Sequence, residues 1–469
     1  MKFYLSRIAL LFMLLLLSRN ISYSQDDNHA QKCWTLEECI RLARDNNIEL
    51  KSEKLSIREA NLSLSDSKWA FAPNLSASTV YNLSIGRVLD ETTYEFVTNQ
   101  TMRSSNSSVS IDILLFDGLR NLRQLQYSKL NKEAAVLKYR KAENDLCLNI
   151  TAYYLEVLCA LENFKNCSNI VESLKKQEQL VSIKVHHGKI NTIDLLQIQS
   201  KLADAENTLL SAKHSYDLSR MNLCQLIEVK DYYSFVPSMT SIDSVPFNHY
   251  THMDILSTIE KLPEIAMTKK NIELSKKNVE ISKSQYYPSL SLSFGYGSSY
   301  SNARQKVLQN GNGSYTYTSY PFWEQYKDNV SQYVSLGLKI PIFSNSTINS
   351  IKKARLEVKR NEYAYYTAKK QAEKELAKVI MDTETAWKKY QGSKKYLSSV
   401  QETMRQITLK LEAGKIGAFE YSEVISSLKE AQTQHLSSKY EYIFKVNAAR
   451  KSKVDDNTAK MQSIKWLGV

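Results

Sequence analysis

The chain is written twice. Ala72-Pro73-Asn74-Leu75-Ser76-Ala77-Ser78 is echoed by Tyr287-Pro288-Ser289-Leu290-Ser291-Leu292-Ser293. Leu115-Phe116-Asp117-Gly118 returns as Ile342-Phe343-Ser344-Asn345, and His187-Gly188-Lys189-Ile190 as Ala413-Gly414-Lys415-Ile416. The copies are offset by 215 residues at the first anchor, 227 at the second and 226 at the third. The offset therefore jumps once, between two strand-like segments, which places the extra residues in a loop. A duplicated chain has to fold as two copies of one supersecondary unit, and that restricts architecture more than composition does.

Each copy follows the same grammar. It opens with a helical stretch, Thr35 to Phe71 in the first copy and about Ile255 to Tyr286 in the second. Thr35 followed by Glu38 has the spacing of a capping box. A proline then ends the helix and the hydrophobic period changes to two. Leu75, Ala77, Thr79, Tyr81 and Leu83 alternate with polar residues, and so do Val109, Ile111, Ile113 and Leu115. The second copy has Leu290, Leu292, Phe294 and Tyr296, then Val334, Leu336, Leu338, Ile340 and Ile342. Four amphipathic segments of about ten residues fit strands crossing an outer membrane. A small soluble β-sandwich would not separate its strand pairs by so long a helical stretch. Between the strands, Arg87 to Asn106 and Ser301 to Asn329 are polar and read as outward-facing loops. Tyr320, Trp323 and Tyr326 suit either an aromatic girdle or packing within the loop.

The remainder is helix of unusual length. Gly188 is the only glycine between Gly118 and Gly295, and there is no proline from Gly118 to Val236. Leu195, Leu202, Leu209, Tyr216 and Leu223 recur every seven residues, with Ile198, Ala205, Ala212 and Ser219 in the intermediate register. Tyr421, Leu428, His435, Tyr442 and Ala449 repeat the series 226 residues on. These are coiled-coil patterns. A helix from about Leu119 to His187 would be about 100 Å long at 1.5 Å per residue. Bent back at Gly188 and Gly414, each pair of helices makes a long hairpin, with glycine in the left-handed conformation at the turn.

Composition mostly excludes. Lys2 and Arg7, the ten apolar residues Ile8 to Leu17, and Ser22 and Ser24 before Gln25 give a cleavable signal peptide at 1–24. The expected organisation then follows: a first repeat at 25–231, a linker at 232–254, a second repeat at 255–450 and a tail at 451–469. No later segment has the apolar length of a membrane helix. The net charge of +13 is spread among interleaved acids and bases, so it reads as solvated helix faces and not as a nucleic-acid surface. The six cysteines contain no CxxC pair, and those within heptads read as buried free thiols. No nucleophile elbow, phosphate loop or metal-ligand spacing stands out, so neither an enzyme, a cofactor nor a resident metal is expected. His186 and His187 read as an exposed helix end.

Four strands cannot close a barrel, and open edges in lipid leave backbone groups unsatisfied. Other protomers must complete the sheet; two would give eight strands and three would give twelve. The helical hairpins then extend away from the membrane as a tube. A periplasmic coiled-coil spacer would share the hairpins but lack the strands.

Signal peptide, strand pairs, heptad hairpins and glycine turns together resemble the TolC family of outer-membrane efflux proteins, from Trp34 to about Ala449. The resemblance implies a mixed, mostly helical fold. In it, a transmembrane β-barrel is shared by a homotrimer and continued by a periplasmic α-helical barrel. It implies a passive exit duct working with a periplasmic adaptor and an inner-membrane pump. It also places an acidic ring at the entrance, at Glu420 and Glu423 after the second turn glycine and at Asp194 after the first. Rings of carboxylates favour cations. The adaptor would dock at the turns, around Gly188, Lys189, Gly414 and Lys415. Where the family's gate carries a tyrosine and an arginine, this chain has Leu411 and Ile416.

Overall fold

The computed structural model describes residues 33–89, 96–238, 259–260, 262–309, 311 and 313–451. The expected signal peptide, most of the linker and nearly all of the tail lie outside the described residues.

The first copy contains β1 (Cys33–Trp34), α1 (Leu36–Asn46), α2 (Ile48–Trp69), β2 (Asn74–Leu89), β3 (Phe96–Phe116), α3 (Arg120–His186), α4 (Thr192–Leu226) and β4 (Val236–Pro237). The second contains α5 (Pro263–Ser284), β5 (Ser289–Ser301), β6 (Gln305–Gln309), β7 (Tyr315–Ser319), α6 (Phe322–Asp328), β8 (Ser331–Lys339), α7 (Asn345–Glu412) and α8 (Ala418–Lys451).

The capping box at Thr35 forms: Glu38 N–H donates to Thr35 Oγ1 at 3.3 Å, and Thr35 N–H to Glu38 Oε2 at 3.0 Å. The single opening helix expected up to Phe71 is broken at Asn47. Its side chain accepts Leu50 N–H at 3.0 Å, and its Nδ2 donates to Leu226 O at 3.2 Å. A capping asparagine that also ties down the end of α4 favours a break over a continuous helix.

The four long strands form one antiparallel sheet in the order β2-β3-β5-β8. Its register sets Leu75 opposite Ile111, Ile111 opposite Phe294 and Phe294 opposite Val334, so these side chains share one face. Serines line the other face. Ser76 and Ser110 hydroxyls lie 2.8 Å apart, and Ser293 Oγ donates to Asp112 Oδ1 at 2.6 Å. The apolar face is open, with Leu75 68 % and Val334 71 % exposed.

Two expectations about the loops are corrected. Most of Arg87 to Asn106 is strand, because serine and asparagine support a ladder as well as apolar residues do when backbone pairing carries it. Ser301 to Asn329 folds as the β6–β7 hairpin followed by α6. Ile340 and Ile342 fall outside β8, which ends before Pro341 because proline has no N–H to continue the ladder.

Below the sheet the helices pack in the order α2-α3-α5-α7, so each strand edge is continued by a helix edge. Gly118 makes the junction between the copies. Its φ is +68°, and a Cβ there would lie 2.6 Å from Tyr287 Cβ and 2.7 Å from Ser284 O. The largest core lies further along, where α1, α3, α4 and α8 bury Cys39, Ile150, Leu158, Leu223, Phe235 and Ile443. The parallel pair β1–β4 is held there by Tyr154, whose Oη lies 2.9 Å from Trp34 O and 3.0 Å from Ser238 O. All six cysteines are free, and Cys147, Cys167 and Cys224 are buried on α3 and α4 as the heptads predict. Among the described residues no helix is long and apolar enough to cross a membrane.

Candidate functional site

The candidate site is built from the two hairpin tips, and each begins with the same turn. At the end of α3, Gly188 N–H donates to Val185 O and Lys189 N–H to Lys184 O, both at 2.9 Å. At the end of α7, Gly414 N–H donates to Leu411 O at 3.0 Å and Lys415 N–H to Lys410 O at 2.9 Å. This is the Schellman pattern, which needs a residue of positive φ; Gly188 has +68° and Gly414 +69°. No heavy atom lies within 4 Å of a Cβ built at either position, so backbone conformation alone calls for glycine. Lys189, Lys415, His186 and His187 are exposed around the turns.

The tips are joined to each other by charge-assisted hydrogen bonds. Lys184 Nζ, on α3, donates to Leu411 O at 3.1 Å and Glu412 O at 3.0 Å, the last carbonyls of α7. Asp194 Oδ1, on α4, accepts Ala418 N–H at 3.1 Å, at the start of α8. A cation at a helix C-terminus and an anion at an N-terminus both complement the macrodipole. The first hairpin thus supplies caps to both helices of the second. Its own return helix is capped locally by Asn191, whose Oδ1 accepts Ile193 N–H at 3.3 Å.

Beneath the tips, Ile170, Leu174, Val181, Ile198, Leu411, Ala418, Tyr421 and Ile425 form a buried cluster, and Ile416 packs against it. Burial raises the Tyr421 phenol above its ordinary pKa, and its Oη lies 3.3 Å from Ser173 Oγ. Leu411 is 6 % exposed, so the positions where the resemblance has a tyrosine and an arginine contribute apolar packing here.

The sequence-predicted acids are placed differently. Glu420 and Glu423 are exposed on the first two turns of α8, whereas Asp194 is half-buried and engaged as a cap. Sequence reasoning missed Lys184. A lysine in the last turn of a helix normally serves its own carbonyls, and nothing local shows that it reaches another helix. Further from the tips, a groove of about 550 Å³ lies between α3, α4 and α8, lined in part by Lys201, Asp204, Lys429 and Glu430. It is bridged by Lys429 Nζ, which donates to Thr208 Oγ1 at 2.9 Å. Among the described residues no cluster of three metal-ligating side chains occurs.

A sequence model described as outer membrane efflux protein matches residues 39–227 and 256–451 of the chain. The chain belongs to the outer membrane efflux protein family. The two matched stretches contain both hairpins and all four long strands of the sheet. A curated relative, the cobalt-zinc-cadmium resistance protein CzcC of Cupriavidus metallidurans, is 21 % identical over 263 residues. That alignment spans 56 % of this chain and 58 % of CzcC. Among solved structures, the CmeC outer membrane channel of Campylobacter jejuni superposes with TM-score 0.74 at 16 % identity, covering 91 % of this chain and 87 % of that one. CusC superposes with TM-score 0.73 at 14 % identity, covering 90 % and 92 %. Family membership and fold together place the protein in the outer membrane, with its helical part in the periplasm. The family consists of efflux channels.

Proposed function

We propose that the chain is one protomer of a homotrimeric, passive export duct that opens when docked to a periplasmic adaptor and an inner-membrane pump. The observation that carries this reading is the pair of open edges. Among the described residues β2 and β8 end the four-stranded sheet without a further strand, and α2 and α7 flank the helical layer on the same two sides. On α2 the exposed apolar residues Ile48, Leu55, Leu62 and Trp69 lie seven apart, the spacing of a helix–helix seam. On α7, Leu356 and Tyr363 are also seven apart and exposed. A second copy that pairs its β8 with β2 sets its α7 against this stripe. Sheet and helical layer close together, which favours a ring over an open array.

In this reading Glu420 and Glu423, with Asp194, form the acidic ring of the periplasmic entrance. The turns at Gly188, Lys189, Gly414 and Lys415 receive the adaptor. The duct has two structural repeats behind a cleaved signal peptide, and cargo is chosen by the pump. The name of CzcC makes cobalt, zinc and cadmium tolerance the first cargo screen.

The test is Leu55→Lys with Leu62→Lys. Purified wild-type protein should run as one heat-dissociable trimer and conduct in planar bilayers. The variant should run as monomer and lose conductance. A wild-type protein that is a folded monomer in lipid overturns the reading.

A further inference from the structure

The residues that lengthen the second copy fold into β6, β7 and α6, and the attachment of α6 decides what surrounds it. β8 stops pairing with β5 at Ser331–Gly297, and β5 runs on to Ser301. Side chains replace the missing strand. Gln325, fully buried, accepts Ser301 N–H through Oε1 at 3.0 Å and donates through Nε2 to Ser301 O at 2.9 Å. Asn329 Nδ2 donates to Ser299 O at 2.8 Å. Satisfying the edge matters most where water is scarce, because an unpaired backbone group in hydrocarbon costs several kcal/mol.

From that edge α6 leans over one face of the sheet. Tyr326 Oη lies 2.9 Å from Ser105 Oγ and 3.0 Å from Ser107 Oγ, and Ser298 Oγ donates to Tyr326 O at 2.7 Å. Ser107 is opposite Thr79 and Ser298, and Ser105 is opposite Tyr81 and Tyr300. By alternation these residues share the face of Ile111, Phe294 and Val334, the apolar outer wall of the barrel. They sit at the end of the sheet away from the helices.

At this level β2 still presents Tyr81, Leu83 and Ile85, 62 %, 56 % and 79 % exposed. Opposite them β3 presents Ser105, Arg103 and Thr101, and in the next row toward the helices Thr79, Ser107 and Ser298 are all polar, a gap in the lipid-facing band. α6 covers the gap, bonds its hydroxyls, and offers aromatic surface outward. Phe322 lies 4.9 Å from Tyr300 and 4.5 Å from Tyr326 between ring centroids, while Trp323 is 72 % exposed. The acids of α6 are matched, Glu324 by Lys306 Nζ at 3.0 Å and Asp328 by the Tyr320 hydroxyl.

We propose that α6 is a membrane-facing element, which lies on the outer wall of the barrel and sets Trp323 and Phe322 into the headgroup boundary of the outer leaflet. The occupant of its exposed face is lipid, by continuity with the apolar wall on which it is seated. Tryptophan at such a boundary keeps its ring in apolar surroundings and its N–H near water.

The experiment compares wild type with Trp323→Phe, both reconstituted in ordinary and in brominated phosphatidylcholine bilayers. Trp323→Phe keeps an aromatic ring, and the unheated oligomer on gels reports that it has folded. Subtracting the two spectra isolates Trp323 from the other tryptophans. That component should be quenched in brominated bilayers and be protected from aqueous iodide. Quenching by iodide, or indifference to bromination, overturns the proposal. The proposal rests on the shared barrel of the duct reading, but no pump, adaptor or transport is involved: an intact oligomer whose Trp323 is open to iodide overturns the proposal alone, whereas loss of the oligomer in wild type overturns the duct.

Discussion

Asp194 Oδ1 in the first hairpin accepts the N–H of Ala418 in the second at 3.1 Å, so one repeat begins a helix of the other. Asp194→Ala should remove this cap at a cost of about 1 kcal/mol. Amide hydrogen exchange in the first turn of α8 should speed up. Asp194→Asn keeps an acceptor oxygen and should leave exchange near wild type. Equal acceleration in both variants would mean that charge, and not capping, holds the turn.

Glu420 and Glu423 are exposed and three apart on α8, the positions assigned to the entrance ring. Glu420→Gln with Glu423→Gln should reduce cation preference and weaken block by multivalent cations in single-channel recordings. Asp194→Asn should change selectivity less, since that carboxylate already serves Ala418. Unchanged selectivity in the double variant removes the acidic ring from the reading.

The glycines should rank by what surrounds them. Gly188→Ala and Gly414→Ala meet no neighbouring atom and should each cost about 1 to 2 kcal/mol, the penalty of the left-handed conformation alone. Gly118→Ala adds a collision with Tyr287 Cβ at 2.6 Å and Ser284 O at 2.7 Å, where backbone must shift. The temperature at which the oligomer dissociates on gels should fall furthest for Gly118→Ala.

Buried thiols should make the fold sensitive to alkali. Desolvation, reinforced by Cys224 and Glu38, pushes Cys39 from 9.0 to about 12. Desolvation also pushes Cys159 and Cys224 to about 11. Above pH 9.0 the unfolded chain loses these protons while the folded chain keeps them. Their contribution is therefore fully present below that pH and is lost as pH rises through 11 to 12. Denaturation midpoints measured as pH is raised should fall, and Cys39→Ala with Cys224→Ala should flatten the decline. Cys39, Cys159 and Cys224 should also resist alkylation in the folded protein at about pH 8, because the thiolate is the reactive form.

Much of this architecture was legible because it rests on periodicity. The heptad register predicted buried Ile198 and Leu223, and alternation predicted the shared face of Leu75, Ile111, Phe294 and Val334. Where the periodic signal is silent, the structure departs from it. The serine-rich start of β3 looked like a loop, and Asn47 gave no warning that it would divide the opening helix. Backbone pairing and long-range hydrogen bonds leave no period in the side chains.

The sequence by itself determined that the chain is duplicated, that each copy joins an amphipathic strand pair to a long helical hairpin, and that glycine turns each hairpin. Those are local properties, carried by spacing and by the conformational limits of single residues. Only the tertiary structure decided that Lys184 and Asp194 of one copy cap α7 and α8 of the other, and that Gln325 closes the free edge of β5. Each of these joins residues brought together by the fold, and a hydrogen bond of that kind has no signature until both partners are in place.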